Sequence, residues 1–118
     1  MHYILYGIPN CDTIKKAKTW LDDNLILWSF YNYKTNDIEP QIIDNWLKQV
    51  PLNKILNKAS ATFRKLSDQD KVSCENPSKA IALMVQNPSM IKRPVLEING
   101  QVVAVGFKHD NYAKVLLN

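Results

Sequence analysis

Apolar and polar positions change period several times along the chain, and each change marks a change of element. Met1-His2-Tyr3-Ile4-Leu5-Tyr6 is a short aromatic and β-branched run that predicts a strand. From about Asp12 to Asn24 the apolar residues Ile14, Ala17 and Leu21 recur at helical spacing, with lysines on other faces. Ile26 to Tyr33 then predicts a second strand. Two strands joined through one helix form a βαβ unit, which implies parallel pairing and a right-handed crossover.

Lys34-Thr35-Asn36-Asp37 is a polar break. Beyond it, Ile42, Ile43, Trp46, Leu47 and Val50 form a helical stripe that begins near Pro40 and ends at Pro51. Leu52, Ile55 and Leu56 suggest a short helix, and Phe63-Arg64-Lys65-Leu66 another helical or irregular piece. Ser67 to Asn76 is polar. Ser78 can cap a helix that turns Ile81, Met84 and Val85 inward and closes near Asn87-Pro88.

Val95 to Ile98 and Gln101 to Val105 flank Asn99-Gly100, the strongest short signal for a hairpin, since both central residues of a type I′ turn need positive φ. A last helix from about Asp110 is expected to bury Tyr112, Val115 and Leu116. The resulting order is β-α-β, a helical insert, α, then β-β-α. It predicts an α/β fold with a mixed sheet and helices on its faces.

Composition narrows the class. A chain of 118 residues with 46% hydrophobic and 22% charged residues suits one soluble globular domain. It has no apolar run of membrane-spanning length and no secretory leader, so the cytoplasm is the expected compartment. The net charge of +4 comes from scattered lysines rather than a basic run, so nucleic-acid binding is not expected, and the mild basicity fits small anionic substrates equally well. Cys11 and Cys74 lie far apart and form no C-x-x-C, and His2 and His109 have no metal-ligand spacing. Free thiols and no metal are expected.

One stretch carries chemistry. In Tyr6-Gly7-Ile8-Pro9-Asn10-Cys11-Asp12-Thr13-Ile14-Lys15-Lys16-Ala17 a strand ends, a Gly/Pro-punctuated loop follows, and a helix begins, with Asp12 or Thr13 as its cap. Cys11 therefore lies at a helix N-terminus, where unpaired N–H groups and the macrodipole favour an anion and lower a thiol's pKa. Lys15 and Lys16 add positive charge, and Asp12 opposes it if its carboxylate faces the sulfur. Asn10 and Thr13 can donate hydrogen bonds to the thiolate. The alternative is a small buried hydrophobe, a common fate of free cysteine. Arg64 and Arg93 join Cys11 as candidates, because the planar guanidinium suits carboxylates and oxyanions. Arg93 precedes Pro94, a bond at which a cis peptide is accessible.

These residues, with Leu56-Asn57, Ile91-Lys92-Arg93-Pro94 and Gly106-Phe107, resemble the arsenate reductase (ArsC)/Spx family, in particular its YffB-type branch. The resemblance runs through essentially the whole chain. It implies a thioredoxin-like mixed four-stranded sheet in a single domain over residues 1–118, with a helical insert at roughly 38–76. It further implies a glutathione-dependent thiol reductase: Cys11 as nucleophile, Arg64 and Arg93 as anion-binding residues and Pro94 as the cis-proline of the site. No bound cofactor is expected, with glutathione as co-substrate, glutaredoxin as a candidate partner, and a monomer without membrane or nucleic-acid partners. Arsenate reductases of this family carry a further arginine in Gly-Arg-Pro; here Gly106-Phe107-Lys108 stands in that place, and Lys108 is the candidate substitute. Spx regulators carry C-x-x-C in the first loop; here the third residue after Cys11 is Ile14. The alternatives to a thiol reductase are an Spx-like regulator contacting RNA polymerase and an arsenate reductase proper.

Overall fold

Strand β1 (Tyr3–Gly7) runs into helix α1 (Asp12–Asp23), and the chain returns as β2 (Trp28–Asn32). The structure, a computed structural model, describes residues 1–117. It divides into two compact units: Met1–Asn36 with the chain from Arg93 onward, and Asp37–Lys92.

The first unit is built on a four-stranded sheet in the order β2-β1-β3-β4, where β3 is Val95–Ile98 and β4 is Gln101–Val105. β1 pairs with β2 in parallel, and β3 is antiparallel to both β1 and β4. This is the mixed sheet that the β-α-β and β-β-α segments predicted. Asn99 (φ 52°) and Gly100 (φ 83°) both lie in the left-handed region, as the hairpin turn requires.

Leu5, Leu96 and Ala104 are register partners across three strands, so their side chains share one face of the sheet. On that face they pack with Ile14, Ala17, Trp20 and Leu21 of α1 and Tyr112 of α7 (His109–Leu116). α7 was expected to bury Val115 as well. Instead Tyr112, Ala113 and Leu116 form its inward face, and that rotation leaves Val115 38% exposed.

β2 starts later than its apolar pattern suggests. α1 ends in a Schellman arrangement: the Leu25 N–H donates to the Asp22 carbonyl and the Ile26 N–H to the Leu21 carbonyl. Leu25 takes the left-handed position (φ 59°) usually held by glycine, so Leu25 and Leu27 point outward while Ile26 packs on the core.

The second unit is helical: α2 (Pro40–Leu47), α3 (Leu52–Ile55), α4 (Ala61–Arg64), α5 (Asp68–Ser73), α6 (Pro77–Gln86) and a 3-10 turn at Pro88–Met90. Ile43, Trp46, Ile55, Met84 and Met90 are fully buried. The unit reaches Lys92, beyond the expected insert, and takes in α6, which packs on α2.

Two local expectations need correction. Asn76, not Ser78, caps α6: its Oδ1 accepts from the N–H of Ser78 (3.0 Å) and Lys79 (3.3 Å), and Pro77 is the first helical residue. The polar stretch before it contains α5, capped by Ser67, and its charged sequence surrounds a buried Cys74. Among the described residues no helix is long and apolar enough to cross a membrane.

Candidate active site

At the end of β1 the chain must turn sharply enough to put the next residues onto the start of α1. Gly7 lets the buried Ile14 of α1 pack closely against the end of β1. A Cβ built on it would collide with Cδ1 of Ile14 and lie 3.1 Å from Cγ1, and Ile14 is itself buried. Gly7→Ala is therefore expected to destabilise the fold by about 1–3 kcal/mol, the usual consequence of overpacking. Urea denaturation of both forms measures it, and an unchanged midpoint would show that α1 can give way without loss.

Asn10 follows in the left-handed region (φ 61°), which asparagine tolerates better than most residues. Its side chain is exposed, and the residue bends the backbone just ahead of the helix.

That bend makes Cys11, rather than Asp12 or Thr13, the N-cap residue of α1 (φ −101°, ψ 128°). The sulfur thus occupies the position where a serine or aspartate oxygen ordinarily accepts from the second and third helical N–H groups. Here those belong to Thr13 and Ile14. No closed side-chain cap bond is formed in this geometry, and the two N–H groups act on the charged form of the sulfur. Burial pushes the Cys11 thiol up. Hydrogen bonds from the Ile14 and Thr13 N–H groups, then the Arg93 guanidinium by hydrogen bonding and by charge, more than offset it, and the thiol lies below its ordinary value. Cys11 remains partly exposed.

Arg93 enters from the loop before β3. Its bond to Pro94 is cis, Pro94 is buried, and the Pro94 carbonyl accepts from the Gly106 N–H at 2.8 Å. Arg93 also acts on Tyr33, a residue the sequence reading passed over. Tyr33 is 3% exposed, just beyond β2, with its N–H donating to the Gly7 carbonyl at 3.1 Å. Its hydroxyl is buried without a well-formed hydrogen bond; burial pushes its pKa up and the Arg93 charge pulls the other way. The available signal was topological. Parallel β1 and β2 end side by side, with Gly7 opposite Asn32, and residues beyond the ends of parallel strands share a crevice.

Cys11, Thr13, Arg93 and Pro94 thus belong to one unit, with Tyr33 added. Lys108 is the exposed N-cap residue of α7 in the same unit. Arg64 ends α4 in the second unit and is exposed. Cys74 belongs to the second unit too, where burial and then Asp70 push its thiol up, with Lys58 opposing. Among the described residues no group of His, Cys, Asp and Glu could hold a metal ion.

The first unit thus holds a partly exposed thiol of lowered pKa at a helix N-cap together with Arg93 and a cis-proline. Residues 6–115 match the ArsC family profile. The chain belongs to the ArsC family. An uncharacterised Haemophilus influenzae protein is 33% identical to it over 108 residues, covering 92% of this chain and 93% of that one. A solved YffB protein superposes with a TM-score of 0.89 at 46% identity, covering 97% of this chain and 98% of the other. The global transcriptional regulator Spx of Streptococcus mutans is 30% identical over 112 residues, covering 90% of this chain and 77% of Spx. This ArsC-family chain therefore has the thioredoxin-like fold of that group.

Proposed function

We propose that this protein is a thiol–disulfide oxidoreductase that works through Cys11 alone, with glutathione as the second thiol. The observation that carries this reading is the Cys11 sulfur at the N-cap of α1, its thiolate favoured by two backbone N–H groups and by Arg93. Thiolate is the nucleophile in disulfide exchange. The thiolate attacks a disulfide sulfur, a mixed disulfide forms on Cys11, and the departing sulfur takes the electron pair. The loop has no C-x-x-C partner, so an external thiol must release the enzyme. Arg93, in the same unit as Cys11, is the candidate to hold a carboxylate of glutathione.

The test is to incubate the protein with oxidised glutathione and take an intact mass. One glutathionyl group on Cys11, removed by excess reduced glutathione, is the expected result. No adduct, or an adduct on Cys74 only, would sink the proposal.

A second reading, regulation of transcription through RNA polymerase, draws on the similarity to Spx. Against it, the third residue after Cys11 is Ile14, 1% exposed in the core, so the loop has no second thiol to form a switch. Capture of polymerase subunits by the protein, unaffected by Cys11→Ser, would favour this reading over the first.

A further inference from the structure

Along the exposed side of α1 a groove of about 380 Å³ is lined by Lys15, Lys16, Thr19, Trp20, Phe107 and His109, with Asp23 at its far end. Lys15 is the residue whose N–H donates to the Cys11 carbonyl, so the groove opens one helical turn, about 5.4 Å, beyond the reactive cysteine.

The floor and one wall are aromatic and preformed. Phe107 packs edge-on against Tyr112 at 4.7 Å between centroids, and Tyr112 against Trp20 at 5.5 Å. Trp20 also meets the His109 ring edge-on at 6.4 Å. Nearest Cys11 the rim is cationic, formed by Lys15 and Lys16. His109 lies 3.4 Å from Asp110. Flat aromatic walls and two lysines match a flat apolar group that carries a negative charge.

We propose that this groove holds the leaving group of the substrate, and that the preferred substrate is a mixed disulfide of glutathione with an aromatic thiol bearing an anionic group. The proposal rests on the thiol–disulfide reading above. The Cys11 thiolate attacks the glutathione sulfur, the bond between that sulfur and the aryl sulfur breaks, and the aryl thiolate leaves with the electron pair. A second glutathione thiolate then attacks the glutathionyl sulfur on Cys11. That step forms oxidised glutathione and restores the Cys11 thiolate. In sum, one mixed disulfide and one glutathione give oxidised glutathione and one aryl thiol.

Two probes test it: the mixed disulfide of glutathione with 5-thio-2-nitrobenzoate, and that with 2-mercaptoethanol. The nitrobenzoate is the better leaving group in any enzyme, so the quantity to read is the ratio of the two kcat/KM values, compared across variants. Lys16→Glu reverses a charge on the rim, and Thr19→Tyr fills the groove from an exposed helical position. Each is expected to lower the ratio at least about fivefold, as loss of one favourable contact would. A ratio that survives in either variant would overturn the groove assignment and leave the Cys11 chemistry standing. If neither disulfide is turned over by the wild type, the oxidoreductase reading fails and the groove proposal fails with it.

Discussion

Replacing Cys11 by serine is expected to abolish disulfide turnover, a loss on the order of 10³-fold or more, while leaving the fold equally or more stable. The two effects have one cause. Cys11 occupies the N-cap of α1, a position at which serine is among the preferred residues, because its oxygen accepts well from the second and third helical N–H groups. Sulfur is a weaker acceptor, and the neutral thiol closes no cap bond here. The serine variant should therefore gain up to about 1 kcal/mol in acid solution, where the native thiol is protonated. Cys11 has a folded-state pKa below its unfolded one. Its thiolate consequently stabilises the fold fully above the unfolded value of about 8.5, and that contribution is lost as pH falls through the folded value. Serine does not titrate in this range, so the variant's advantage should shrink as pH rises. Denaturation midpoints of both forms, measured from acid to alkaline pH alongside the turnover assay, check this. A serine variant less stable at every pH would mean that the sulfur is held by packing rather than by the helix terminus.

Such a trade of local stability for reactivity is visible in the sequence only in part. The strands, α1 and the hairpin were legible because each rests on a local rule: the aromatic and β-branched run of β1, helical spacing of Ile14, Ala17 and Leu21, and Asn99-Gly100 at a turn that needs two positive φ values. The Cys11 loop was legible as a helix start, but its register was off by one or two residues. Asp12 and Thr13 are both better caps by propensity than cysteine. What overrides propensity is the left-handed Asn10 together with the close approach of Gly7 to Ile14, and neither shows in a one-dimensional pattern. Val115 was misjudged for a related reason: an apolar residue reads as inward wherever it falls, while the face a helix shows to its neighbours decides which way it points. Tyr33 was missed because nothing local distinguishes it from Tyr31. Only the parallel pairing of β1 and β2 brings it beside the loop that carries Cys11.

The pairing of Arg93 with Cys11 carries the second large effect. Arg93→Ala should slow disulfide exchange about tenfold or more near neutral pH, because a hydrogen bond to a charged group is worth roughly 1.5–3 kcal/mol. The pH dependence identifies the cause. In the wild type, thiolate forms below the ordinary thiol range because the Ile14 and Thr13 N–H groups and Arg93 outweigh burial. Without the guanidinium, burial is opposed by the N–H groups alone, so the midpoint of the rate profile moves up. The deficit should then close as the medium becomes alkaline and both sulfurs ionise. It should even reverse, since a thiolate of higher pKa is intrinsically the stronger nucleophile. Arg93→Lys separates charge from geometry: it should keep part of the lowered midpoint, and lose the planar fork that suits a carboxylate. If Arg93 also holds the substrate, that loss appears as a raised KM that persists at high pH. A midpoint equal in wild type and Arg93→Ala would remove Arg93 from the activation of Cys11 and leave the helix N-terminus as the sole source of its acidity.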